Sequence, residues 1–294
     1  MDRPPPEDIA RVAAALGVRP IAWEPATRGG QTAAARWLVT LPDAARAFVK
    51  IGATLDTAAW IRDEHRVYAQ LRGRSFLPRM LGFHDDGERP ALAIEDLSGA
   101  RWPPPWEPEA VTAVLACLDE VHATPPPTDL PSIGQLGLEL RGTWGRIAEA
   151  PTPLLDLGLC DASWLEAALP VLGSATRRAV IEGDALLHMD VRSDNLCLRG
   201  GRAVLVDWNW ACTGNPMFEI AGWLPSLHDE GGPPPQEILP SGAAEMAALL
   251  AGYFCSHAGL PPIPGAPHVR HLQLRQARIA LPWAARELGL PPPG

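Results

Sequence analysis

Three short polar side chains late in the chain constrain its fold more than any other feature. They stand in Leu187-His188-Met189-Asp190-Val191-Arg192-Ser193-Asp194-Asn195, followed by Val204-Leu205-Val206-Asp207-Trp208. Asp190, Asn195 and Asp207 can act together only if the chain between the last two folds back. The residues allow it. Leu196-Cys197-Leu198 and Ala203-Val204-Leu205-Val206 are strand candidates, and Arg199-Gly200-Gly201-Arg202 is a turn between them. A strand-turn-strand brings the Asn195 amide and Asp207 back to one cleft. Such a set suits phosphoryl transfer, which needs a carboxylate beside the attacking hydroxyl and oxygen ligands for magnesium. Magnesium takes hard oxygen donors, with one or two protein carboxylates among them.

Upstream, the pattern predicts a small sheet. Residues 20–26 and 35–41 read as strands flanking Thr27-Arg28-Gly29-Gly30-Gln31-Thr32, and Arg46-Ala47-Phe48-Val49-Lys50-Ile51 follows a Pro42-Asp43 turn. A helix over about 55–72 comes next, then strands near 79–84 and 90–95. From 107 onward the pattern turns helical. Val111, Val114, Leu115, Leu118, Val121 and His122 share one stripe, and further helices are expected around 161–170, 174–186, 243–257 and 267–288. Pro-rich clusters between these elements read as loops.

Composition excludes several classes. A hydrophobic share of 47% with 20% charged residues is that of a globular protein. No apolar run is long enough for a membrane span, and the start lacks a signal-peptide pattern. The five cysteines have no CxxC spacing, which fits a reduced cytoplasm and argues against a zinc site or a disulfide framework. A net charge of −9 argues against nucleic-acid binding, and no obligate protein partner is evident. Lys50 is the only lysine, and the only asparagines are Asn195, Asn209 and Asn215. These rare residues fall where the phosphoryl-transfer reading needs them.

In its motifs the chain resembles the aminoglycoside phosphotransferase and choline kinase-like family, whose fold is protein-kinase-like. The usual family forms are HGDxxxxN and an IDW or IDF segment. Met189 replaces the usual Gly, and Asn209 stands where an acidic residue often follows. The resemblance implies an α+β, bilobal fold. Residues 1–95 would form a small nucleotide-binding lobe with one main helix, and 96–294 a larger helical lobe with the catalytic loop and acceptor site. It further implies ATP or GTP with Mg2+ as cofactors. Asp190 would be the proton acceptor, Asn195 and Asp207 the metal ligands, and Arg192 a cation meeting the transferring phosphate. His188 would be structural.

The early helix supports this reading. Ile61, Glu64, Tyr68 and Leu71 share one face, so Glu64 sits on the apolar side, where an unpaired carboxylate is costly. Lys50 is its obvious partner, with Asp63 as the competing carboxylate. This resembles the kinase lysine–glutamate pair that holds the nucleotide phosphates. Gly29 and Gly30 would correspond to the loop over those phosphates. Leu92-Ala93-Ile94-Glu95-Asp96-Leu97 looks like the family's hinge, with backbone groups near Glu95 and Leu97 at the adenine edge.

Asp207 is followed within nine residues by Gly214-Asn215-Pro216 and an apolar, helical stretch, Phe218 to Leu224. That leaves little platform for a peptide, so the expected acceptor is a small hydroxylated molecule. Candidates are an aminoglycoside or other antibiotic, or a metabolite such as choline, an amino alcohol or a sugar. Candidate acceptor contacts are Trp223, Asp229 and Glu230, with Trp102, Trp106 and Trp283 as further aromatic faces. Two other readings stay open, a nucleotide-binding regulator without catalysis and a metal-dependent hydrolase. The first would lack at least one of Lys50, Asp190, Asn195 and Asp207, and the second would need more metal ligands.

Overall fold

The computed structural model describes residues 4–26, 33–263, 266 and 268–294. In chain order its first elements are α1 (Pro6–Leu16), β1 (Ala22–Pro25), β2 (Ala35–Thr40), β3 (Arg46–Ile51), α2 (Leu55–Gln70), β4 (Met80–His84), β5 (Ala91–Glu95) and α3 (Pro108–His122). Then come α4 (Thr143–Glu149), α5 (Thr152–Leu155), α6 (Ala162–Arg178), β6 (Ala185–Leu187), β7 (Leu196–Arg199), β8 (Arg202–Leu205) and β9 (Cys212–Gly214). The last are α7 (Pro216–Asp229), α8 (Pro235–Ile238), α9 (Ala244–Ala258) and α10 (His268–Glu287). The fold is α+β, an N-terminal antiparallel sheet followed by a mostly helical part.

The described residues divide into two compact units. The first draws on Met1–Pro103, Pro108–Leu130 and His188–Cys212, the second on Pro104–Glu107, Pro131–Leu187 and Thr213–Gly294. A single cut at 95/96 does not give these units, because long-range bonds tie the late motif to the sheet. Leu205 N–H donates to Phe76 O at 2.8 Å, and Lys50 pairs with Asp207.

In the first unit the strand order is β1-β2-β3-β5-β4, and the described ladders are antiparallel. Val39, Ala47, Val49, Ile51, Ala91 and Ala93 build the core against Val12 of α1. The sequence reading placed no element before residue 20, so α1 was not anticipated. Pro6 stands at the first helical position, where its missing N–H costs nothing, and Gly17 ends the helix in the left-handed region. Gly82 is what lets α1 lie close to β4, because a Cβ there would collide with Ala15 O. β7 and β8 form the expected hairpin, with Leu196 opposite Leu205.

α2 begins at a reciprocal cap. Thr57 N–H donates to Thr54 Oγ1 at 3.2 Å, and Thr54 N–H to Thr57 Oγ1 at 2.8 Å. Its buried face comprises Thr57, Ala58, Ile61, Glu64, Val67 and Tyr68.

The second unit is helical. α9 is buried on nearly all sides and packs against α10, α6, α4, α7 and α5. Gly252 admits α4 to its flank, and Trp144 Nε1 donates to Ala248 O at 2.9 Å. Two helices were expected over 161–170 and 174–186. One is found instead, α6, running through Pro170 from an Asp161 cap that accepts from Trp164 N–H. Proline removes one N–H without ending this helix, and the chain leaves it at Ala179, which has extended backbone. No helix among the described residues is long and apolar enough to cross a membrane.

Candidate active site

Every well-defined piece of the candidate site belongs to the first unit. β3 carries Lys50 opposite Arg36 on β2 and Leu92 on β5. The side chain is buried, and its Nζ lies 2.9 Å from Glu64 Oε2 and 2.8 Å from Asp207 Oδ1. Glu64, only 1% exposed on α2, also accepts the Asp207 backbone N–H at 3.1 Å. Asp63 faces outward and pairs with Arg66 one turn along. Burial opposes the Lys50 ammonium, but the charges of Asp207 and Glu64 outweigh it and hold its pKa up. Burial pushes the Glu64 carboxyl up despite Lys50. Burial presses on Asp207 in the same sense, yet the shared ammonium prevails and holds it down.

The catalytic-loop candidates are fixed by backbone bonds. Asp190 N–H donates to His188 Nδ1 at 3.2 Å, which places the ring proton on Nε2, 2.8 Å from Val206 O. His188 thus ties the loop to the strand leading into Asp207. Asn195 donates through Nδ2 to Asp190 Oδ2 at 2.8 Å and to Asp190 O at 2.9 Å. Arg192 binds Asp194 at 2.9 Å and stands 3.5 Å from Asp190. The Asp190 side chain keeps 30% of its surface open. Enough protein surrounds it, even so, that burial is the largest influence and raises its pKa, with Arg192 opposing.

Two residues here adopt the left-handed region without being glycine, Met189 at φ 72° and Asp207 at φ 67°. Met189 therefore keeps the conformation that a glycine at its position would supply freely. With its amide nitrogen turned toward Asp207, Asn209 donates to Asp207 Oδ1 at 3.0 Å and to Asp207 O at 3.1 Å.

A cavity of about 250 Å³ opens beside these groups, lined by Lys50, Asn195 and Asp207 at one end and by Glu95 and Leu97 at the other. Asn195 Oδ1 and the Asp207 carboxylate give its wall two hard oxygen donors of the kind magnesium takes. Glu95 Oε1 accepts Arg79 N–H at 2.8 Å and pairs with Arg199 at 2.7 Å, so its carboxylate has partners of its own. Gly29 and Gly30 lie outside the described residues.

Trp102 lines this cavity. Trp223 is 1% exposed against Trp106, so it offers no open face, and Trp283 is buried as well. Asp229 closes α7 in an ion pair with Arg275, and Glu230 accepts from Trp106 Nε1 at 3.0 Å. These two candidate contacts thus stand at the end of a helix, with both carboxylates engaged.

Arg36 went unnoticed in the sequence. It feels the charges of Asp207 and Glu64, though burial outweighs them and lowers its pKa. The Pro42-Asp43 hairpin register, which sets Arg36 opposite Lys50, was the signal available.

Residues 26–263 match the model of the phosphotransferase enzyme family. The chain belongs to that family. It is a phosphotransferase, and its kinase-like fold recurs in solved structures of low sequence identity. A thermostable mutant of aminoglycoside phosphotransferase APH(4)-Ia, in complex with AMP-PNP and hygromycin B, is 14% identical with a TM-score of 0.59, over 96% of this chain and 99% of that one. Spectinomycin phosphotransferase APH(9)-Ia, with ADP and spectinomycin, is 9% identical with a TM-score of 0.61, over 95% and 94% of the two chains. A choline/ethanolamine kinase family protein from Mesorhizobium loti is 15% identical with a TM-score of 0.60, over 96% and 98%. No curated protein matches this phosphotransferase closely enough to count as a relative.

Proposed function

We propose that this phosphotransferase moves the γ-phosphoryl group of a nucleoside triphosphate, ATP or GTP, onto a hydroxyl of a small molecule. One observation carries the reading: Lys50, held by Glu64 and Asp207, shares a cavity wall with Asn195, whose amide is bonded to Asp190. Lys50 then offsets the charge of the nucleotide phosphates, and Glu64 keeps it in place. Asp190 orients the acceptor hydroxyl and takes its proton as the new P–O bond forms and the bond to the departing diphosphate breaks. Arg192 and Arg36 add positive charge near the transferring group. Asn195 and Asp207 would hold a magnesium ion, which supplies charge neutralisation at the phosphates when bound.

The acceptor is small because only Trp208–Asn215 separate Asp207 from α7, too little chain for a peptide-binding platform. Fold neighbours bound to hygromycin B and spectinomycin, and others named as choline/ethanolamine and fructosamine kinases, define the first compounds to try. The reading is tested by following ATP and GTP consumption across aminoglycosides, aminocyclitols, amino alcohols and amino sugars. At least one acceptor should support turnover that Asp190→Asn lowers by about 10²-fold or more. Near-normal turnover in Asp190→Asn would defeat the assignment.

A further inference from the structure

We propose that Asn209 is a positioning residue for the metal–nucleotide complex, turning the Asp207 carboxylate so that one of its oxygens meets the cation. This rests on the nucleotide reading above and adds a residue that the phosphoryl-transfer motifs do not contain.

Asp207 stands in the left-handed region, and the short helical turn Trp208–Trp210 follows it directly. That turn brings Asn209 back onto Asp207. Trp210 decides which end of the amide faces it. Its indole Nε1 can only donate, and it reaches Asn209 Oδ1 at 3.3 Å. The amide nitrogen is thereby left for Asp207, where it bonds the carbonyl at 3.1 Å and Oδ1 at 3.0 Å. One donor on two groups of the same residue ties the side chain to its own backbone. The carboxylate is held in one orientation.

The consequence lies in how its two oxygens are divided. Oδ1 takes Lys50 at 2.8 Å as well as Asn209. Both donors fall on that oxygen, so Oδ2 is the one kept for a cation in the cavity that Asp207 and Asn195 line.

Lys50 cannot hold this orientation by itself. Its ammonium has three protons, and Glu64 takes two contacts at 2.9 and 3.2 Å while Asp207 takes the third. When nucleotide phosphates draw on the same ammonium, its bond to Asp207 weakens. Asn209, anchored by Trp210, stays on Oδ1 throughout. A partner of this kind behind a metal ligand typically carries about 10- to 100-fold in metal affinity.

The test follows Mn2+, which takes the same oxygen donors as magnesium, bound to the full chain with ADP and read by electron paramagnetic resonance. Asn209→Ala should weaken retention of the ion about tenfold, while ADP binding in EDTA changes by less than about twofold. Trp210 is partly exposed, so the chain should tolerate Trp210→Phe. That variant loses the donor that orients the amide and should weaken the ion about threefold. The double variant should be no weaker than Asn209→Ala, because Trp210 acts through the amide. A residue that merely stabilises the turn would lower the melting temperature and leave Mn2+ affinity alone, a result that overturns the proposal. Additive losses in the double variant, or an equal loss of ADP affinity in EDTA, overturn it as well. If Asn209→Ala does not fold, Trp210→Phe decides alone, and unchanged ion affinity there is refutation. Failure of the unsubstituted protein to retain Mn2+ with ADP defeats the metal–nucleotide reading itself, a result distinct from an unchanged variant.

Discussion

Lys50 Nζ lies 2.8 Å from Asp207 Oδ1, although 157 positions of sequence separate the two. The same ammonium binds Glu64, so one cation joins β3, α2 and the segment after β8. Removing Lys50 leaves two carboxylates without their cation, whereas removing one carboxylate leaves the ammonium paired with the other.

Glu64→Gln should destabilise the protein by about 2 kcal/mol, through the weakened bonds to Lys50 and to Asp207 N–H and less than a fully broken buried pair, because Asp207 still serves Lys50. Asp63→Asn breaks only the half-exposed contact to Arg66 and should cost under about 1 kcal/mol. Denaturant unfolding of the two variants decides it. Equal losses would mean that the buried pair adds nothing over a surface pair.

The rate should respond to pH through Asp190. Burial raises its pKa and Arg192 opposes that rise. Asp190 accepts a proton only when ionised, so it governs an acid limb in kcat/KM lying above the ordinary carboxylate range. Replacing Arg192 by Gln removes the stabilising charge, favours the protonated form and should move that limb to higher pH. The position of the limb is the readout, since its height falls for other reasons. A limb that stays put would detach Arg192 from Asp190.

Met189→Gly should raise the melting temperature. A side chain in the left-handed region costs about 1–2 kcal/mol, part of which glycine gives back through its freer unfolded chain. The net gain should be about 0.5 kcal/mol, whereas Met189→Val should lose more than that. Calorimetric melting of the two variants checks the ordering, and a more stable valine variant would refute it.

The thiols should be inert in the folded protein. All five cysteines are buried and outside any disulfide, and burial pushes the Cys197 thiol up to about 12 and raises Cys255 as well. Since the thiolate is the reactive form, a disulfide reagent at pH 8 should label the native protein slowly and all five thiols after denaturation. Rapid labelling of any native thiol would contradict the burial.

Much of the site was legible because its rules are local. Helical periodicity alone puts Glu64 on the face of α2 shared by Ile61 and Tyr68, and the cost of burying a carboxylate demands a cation. With a single lysine in the chain, the partner was nearly forced. The hairpin of β7 and β8 follows in the same way from two apolar runs around Gly200-Gly201.

What the sequence by itself determined, then, is which residues carry charge, which face of each element is apolar and where the motif loop must turn. Tertiary structure alone decided which partners those groups meet. The late motif joins the sheet unit because Leu205 and Asp207 bond to residues far upstream. Arg36 reaches the acidic pair through a strand register, and Trp102 spends its indole N–H on Leu97. Asp229 and Glu230, candidate acceptor contacts in the sequence, are already engaged by Arg275 and Trp106. Local propensity fixes the direction a side chain takes from its own element. The donor or charge that waits there comes from a distant part of the chain, and only burial of the whole core brings the two together.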